Sequence, residues 1–193
     1  MKAKKIAAVM LAATMTLSLA ACGGSSSSDS KSADGATDSG KVYKIGICQQ
    51  LEHEALDQAT KGFEDACEKK FGKDNVTFDL QNGQGEQANC ATIANNFVAD
   101  NVDLIMANAT TALQCSAAAT SDIPILGTSI TDYATALDIS DWTGATGMNI
   151  SGTSDLAPID KQEEMLTELV PDAKTVGILY CSAEPNSAYQ ANL

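Results

Sequence analysis

From residue 41 onward the apolar positions switch repeatedly between two periods. The run "YKIGICQ" (43–49) is compact and apolar, the character of a strand buried on both faces. Leu56, Ala59, Phe63, Ala66 and Cys67 then recur at spacings of three and four, one face of a helix that ends near Phe71-Gly72. "VTFDLQN" (76–82) alternates as a strand does, and Ile93, Ala94, Phe97 and Val98 mark a second helix from about Glu86 to Asp100. "VDLIMAN" (102–108) reads as a third strand, followed by a helix of small residues from Thr111 to about Thr120. "IPILGTS" (123–129) and "ATGMNI" (145–150) are the expected fourth and fifth strands. Pro158 suits the first turn of a further helix, with Met165, Leu166 and Leu169 inward and a stop at Val170-Pro171. "KTVGILY" (174–180) opens another strand, and Asn186 is the expected N-cap of a last helix.

Strands alternating with helices specify an α/β fold, a parallel sheet flanked by helices on both faces. Ligands of such sheets bind outside the carboxyl ends of the strands, where loops enter helix N-termini. The loops to inspect are therefore "QQLEHE" after Cys48, "NATT" from Asn108, "TSITDY" after Gly127 and "CSAEPNS" after Tyr180. The strand at 174–180 has no partner strands after it, so the chain is expected to be the N-terminal fragment of a longer protein. The alternative is a sixth strand completing a single sheet.

The residues ahead of this pattern carry a different signal. Lys2, Lys4 and Lys5 precede an apolar stretch from Ile6 to Leu19, too short for a stable membrane span. It ends in Leu19-Ala20-Ala21-Cys22, which resembles the bacterial lipobox, so residues 1–21 are read as a signal peptide and Cys22 as the lipidated N-terminus. Residues 22–40, rich in Gly, Ser, Asp and Ala, read as a flexible tether. Five further cysteines, Cys48, Cys67, Cys90, Cys115 and Cys181, form no CxxC and no zinc spacing, and are expected as small buried apolar residues. A disulfide is open to them in an oxidising envelope, with no connectivity deducible from spacing.

Charge narrows the partners. The formal net charge is −13, and all twelve cationic residues are lysines. Without arginine or a basic patch, nucleic acid is excluded as a partner class, since phosphate neutralisation dominates such binding. Catalysis finds little support either. His53 is the single histidine, no GxSxG elbow exists, and "SGTSD" (151–155) has Leu156 where the second glycine belongs. "NGQGEQ" (82–87) lacks the Lys-Ser/Thr of a phosphate loop and the third glycine of a dinucleotide fingerprint, so it reads as a turn and no cofactor is expected. No His or Cys stands at metal spacing from His53.

Taken together, "IGICQQLEHEALDQATKGF", "VDLIMANATTALQ", "IPILGTSITDYATA" and "PDAKTVGILYCSAEPNS" resemble the substrate-binding proteins of ABC importers, in the tryptophan/tyrosine-binding group. The pieces that carry the resemblance are His53 with Leu56-Asp57, Asn108-Ala109-Thr110, Thr131-Asp132, and Glu184-Pro185-Asn186-Ser187. The chain departs where the family commonly has proline: Glu54 follows the histidine and Tyr133 follows Thr131-Asp132. Cys48 and Cys181 also stand at strand ends where apolar or small polar residues are usual.

The resemblance implies two α/β lobes closing around an amino acid, with 41–150 as lobe one, 151–170 as the first crossing and 171–193 as the start of lobe two. It implies a lipid-anchored, extracytoplasmic, non-enzymatic protein that hands a solute, Trp, Tyr or Phe, to an ABC permease. The ligand carboxylate would be held by a helix N-terminus and hydroxyls, from Thr110 and Thr111 or from Thr128, Ser129 and Thr131. Asp132, Glu184 and Asp57 are the candidate acceptors for its ammonium, with Asn108 and Asn186 in the same loops. Leu51, His53 (beside Gln49) and Tyr133 are the candidate wall for an aromatic side chain. One lobe alone is expected to bind weakly or not at all. Rival readings are a surface solute sensor, or an importer component for a peptide or nucleoside.

Overall fold

The structure, a computed structural model, describes residues 40–193. The expected leader 1–21, Cys22 and all but the last residue of the tether 22–40 lie outside the described residues. Five parallel strands, β1 (Tyr43–Gln49), β2 (Val76–Asn82), β3 (Leu104–Asn108), β4 (Ile125–Ile130) and β5 (Ile150–Ser154), line up in the order β2-β1-β3-β4-β5. The helices are α1 (Glu54–Phe71), α2 (Gln87–Ala99), α3 (Thr110–Ala119), the one-turn α4 (Tyr133–Ala136), α5 (Ile159–Leu169) and α6 (Pro185–Ala191). Among the described residues no helix is long and apolar enough to cross a membrane.

Right-handed crossovers explain which helix covers which face. The chain steps from β1 to β2 in one direction and from β2 past β1 to β3 in the other, so α1 lies opposite α2 and α3. Two apolar layers result. On one face Cys48, Ile105, Ala107 and Ile125 pack beneath Ile93, Ala94 and Phe97 of α2 and Leu113 of α3. On the other, Ile45, Ile47 and Met106 meet Cys67 of α1, with Phe63 and Phe71 at the margin. Gly46 makes the first layer possible. A Cβ there would come within 2.6 Å of the Phe97 ring, so only a glycine lets that ring lie on β1.

Helix ends follow their local chemistry. His53 is extended and its ring Nδ1 accepts the Ala55 N–H at 3.2 Å, which caps α1. Gly72, at φ 90°, closes α1 by donating its N–H to the Glu68 carbonyl at 2.9 Å.

Four expectations are corrected. The fifth strand is Ile150–Ser154, not 145–150, because Gly144 and Gly147 turn the chain at φ 89° and 68° before the ladder begins. Residues 174–180 form no strand and are exposed, since no neighbouring strand among the described residues takes their backbone groups. Met165, Leu166 and Leu169 of α5 are not an inner face but exposed, by 54%, 37% and 72%. The last helix is capped at Glu184, not Asn186, because Pro185 carries the helical φ of a first residue. Of the five cysteines, Cys48, Cys67, Cys90 and Cys115 are buried as expected, and Cys181 is exposed.

Replacing Gly46 by alanine forces the Phe97 ring off β1. Gly46→Ala is expected to cost about 1–3 kcal/mol of stability, read as a lower urea midpoint with an unchanged slope.

Candidate functional site

At the carboxyl edge of the sheet the strand register brings four polar residues side by side. Asn82 pairs with Gln49, Gln49 with Asn108, and Asn108 with Thr128. The connections leave β1 and β3 toward opposite faces, which makes the gap between them the topological switch point where ligands of such sheets bind.

A buried network holds this gap open in one shape. Asn108, fully buried, donates from Nδ2 to the Leu56 carbonyl at 2.8 Å and to Thr60 Oγ1 at 3.0 Å. Thr60 Oγ1 in turn donates to Gln49 Oε1 at 2.7 Å. Gln49 Nε2 donates to Asp57 Oδ1 at 2.6 Å and to the Leu51 carbonyl at 2.9 Å. Gln49, Asp57 and Asn108 are therefore brought together, and their side chains tie the first turns of α1 to β1 and β3. Asn108 Oδ1 is buried with no hydrogen-bond partner.

The neighbouring residue, Gln50, does something else. Successive strand residues point to opposite faces, so Gln50 turns away from α1. Its Oε1 accepts the Thr111 N–H in the first turn of α3 at 3.1 Å, and its Nε2 donates to Glu184 Oε1 at 3.2 Å. Ser187 Oγ donates to the other oxygen of that carboxylate at 3.3 Å. One side-chain amide thus spans from the N-terminus of α3 to an acid at the N-terminus of α6. Just before α3, Ala109 holds φ 85° and ψ 162°, a conformation costing a non-glycine residue about 1–3 kcal/mol. It is held there by its N–H to the Thr128 carbonyl at 3.0 Å and its carbonyl to the Leu113 N–H at 3.1 Å. This kink aims the first turn of α3, with Thr110 and Thr111, at the gap.

The loop after β4 is built differently from expectation. Ser129 sits at φ 56°, where the register between β4 and β5 shifts between Gly127 and Ile130. Asp132 accepts the Thr135 N–H at 2.7 Å as the cap of α4, and the buried Thr131 gives its carbonyl to Ser154 Oγ at 2.8 Å. Tyr133 is no cleft wall. It is 8% exposed and donates its hydroxyl to the carbonyls of Gly127 at 3.0 Å and Thr153 at 3.3 Å. A Cβ on either Gly127 or Gly152 would collide with that hydroxyl, so the ring lies in a slot between two glycines. Burial, and secondarily the nearby Asp155 carboxylate, push its pKa up to about 12. Asn186 lies inside α6, where its carbonyl accepts Gln190 Nε2 at 3.4 Å. His53 stands exposed at the start of α1.

The comparisons with known proteins fit this geometry. Residues 44–193 match the family model described as ABC transporter substrate binding protein. The chain belongs to that family. Over 99% of its length it is 40% identical to a tyrosine-binding protein of Clostridioides difficile strain R20291, covering 56% of that protein. Among solved structures it is similar to a Streptococcus pneumoniae ABC domain in complex with L-Trp, at TM-score 0.74 and 37% identity. A ligand-free, open substrate-binding protein with adhesive properties from Clostridium difficile matches at TM-score 0.64 and 41% identity. Coverage of this chain is 79% and 78% respectively, and of each structure 52%. The chain thus spans about half the length of the relatives it matches.

Gln50 and Thr60, both central here, were missing from the sequence reading. Gln50 differs from Gln49 only in the direction its side chain leaves the strand, and Thr60 sits within the helical stripe as one polar position among apolar ones.

Tyr133 also sets a pH dependence. The unfolded chain releases the phenolic proton near 10, the folded chain near 12, so folding stability should fall as pH rises through that window. Denaturation curves at pH 8, 10 and 11 should show Tyr133→Phe less stable by about 1–2 kcal/mol at pH 8, with the gap narrowing as pH climbs.

Proposed function

We propose that this chain is the solute-capturing part of an ABC importer and that it binds a free amino acid with an aromatic side chain. The observation that carries the reading is the Gln50 amide, which offers an oxygen to the α3 N-terminus and an N–H to the Glu184 carboxylate. An amino acid presents the same polarity, a carboxylate to helix N–H groups and an ammonium to a carboxylate, with full charges in place of partial ones. Thr110, Thr111, Thr128, Ser129 and Thr131 surround the carboxylate end, and Glu184 is the ammonium acceptor. Asp132 and Asp57 are committed to a helix cap and to Gln49, so Glu184 is preferred over them.

The names of the relatives, tyrosine-binding in one and bound to L-Trp in another, support an aromatic ligand. Residues 41–150 form lobe one, 151–170 the first crossing and 171–193 the entry to lobe two. Closure of the two lobes on the ligand by differential contacts would present the complex to a membrane permease. The protein acts by binding and release rather than by catalysis. Cys22 carries the lipid after removal of 1–21, which holds the protein outside the membrane, and 22–40 gives it reach.

Titration calorimetry of the product of the complete reading frame against the twenty amino acids tests this. Heat with Trp, Tyr or Phe is expected, and none with any of the three sinks the proposal. Glu184→Ala should weaken that binding about 10–100-fold, the loss of a charge-assisted hydrogen bond worth about 1.5–3 kcal/mol. An unchanged affinity in that variant would remove Glu184 from the site.

A further inference from the structure

We propose that Cys48 and Cys90 are the pair in this chain that forms a disulfide, a cross-link between the end of β1 and the first turn of α2. Both are fully buried in the same apolar layer, and their thiols hydrogen-bond to each other. The other cysteines are placed elsewhere. Cys67 packs on the opposite face of the sheet, beneath α1, and Cys181 is exposed. Cys115 directs its sulfur to the Gln87 carbonyl at 3.6 Å. Connectivity, open from spacing alone, is thereby decided by which thiols touch.

Position gives the cross-link a consequence beyond the core. Cys48 immediately precedes Gln49 and Gln50, whose side chains build the site. Cys90 lies against Gly83, where a Cβ would collide with its sulfur, and Gly83 donates its N–H to the Gln49 carbonyl at 2.8 Å. Gly85 likewise donates to the Gln50 carbonyl at 2.9 Å. The bond would clamp the 83–90 segment onto the loop that carries Gln50.

The chemistry is thiol–disulfide exchange with a disulfide-bearing oxidant such as oxidised glutathione. The Cys90 thiol, lowered in pKa by its hydrogen bond with Cys48, loses its proton and attacks one sulfur of the oxidant, expelling a thiolate. The Cys48 sulfur then attacks the mixed disulfide at Cys90, loses its proton and expels the second thiolate. Two protein S–H bonds give one S–S bond, and the oxidant leaves as two thiols. Because both sulfurs are inaccessible in the folded chain, the step belongs to folding, before the layer closes.

The test is refolding of a Cys181→Ser variant from denaturant, in a reduced/oxidised glutathione buffer and in excess reductant. Oxidative refolding should remove two titratable thiols per chain. Proteolytic mapping should find one cross-linked peptide pair, joining residues 48 and 90. The oxidised protein should melt about 5 °C or more above the reduced one. Adding Cys90→Ala should abolish both the thiol loss and the melting difference. No thiol loss, or a cross-link joining Cys90 to Cys115, would overturn the proposal. Because the parent variant is mapped directly, the test stands even if the alanine variant folds poorly. It involves no amino acid, so its outcome is independent of the binding reading.

Discussion

The shape of the carboxyl edge depends on a short chain of buried hydrogen bonds running from Asn108 through Thr60 to Gln49 and on to Asp57. A parallel sheet leaves its strand ends to loops, and loops by themselves hold no fixed geometry. Here three side chains from two strands and one helix satisfy one another in a place where water does not compete. Removing any one would strand a buried partner, which costs more than the bond itself contributes. The loop after β1 therefore has one conformation. That fixes where Gln50 starts from, and Gln50 fixes the distance between α3 and Glu184.

The network also separates two jobs that the sequence places next to each other. Gln49 and Gln50 are the same residue type at adjacent positions, and the pleat of the strand sends them to opposite sides. One serves architecture and the other recognition. A site built this way can change its ligand-facing residue without disturbing the scaffold, because the two amides share no partner.

Much of the fold was legible because the signals were local. β1 through β4 and α1 through α3 declare themselves by apolar periodicity, by Gly72 at a helix stop, and by the polar loops that follow each strand. The topology rule then located the edge of the sheet that matters. What escaped was non-local. A strand needs a neighbour, and nothing in "KTVGILY" reveals whether one is present. The turn at Gly144 and Gly147 delays β5 by half a strand, a matter of backbone dihedrals rather than of side-chain character. Asp132 was legible as a polar loop residue, but its role as the cap of α4 required α4, a single turn too short to leave a periodic trace. His53 first suggested chemistry, and its ring nitrogen turns out to close a helix.

Tyr133 and the two glycines that flank it constrain how this loop can evolve. The ring occupies space that a side chain at Gly127 or Gly152 would need, and its hydroxyl is tied to carbonyls on both strands. While the tyrosine is present neither glycine can be replaced. If the tyrosine is lost first, the slot stands empty and two carbonyls go unpaired. Related proteins with proline at this position are thus several substitutions away, and most orders of making those changes pass through a damaged intermediate. The three residues are inherited as a block, so their joint appearance in another sequence would mark this version of the loop.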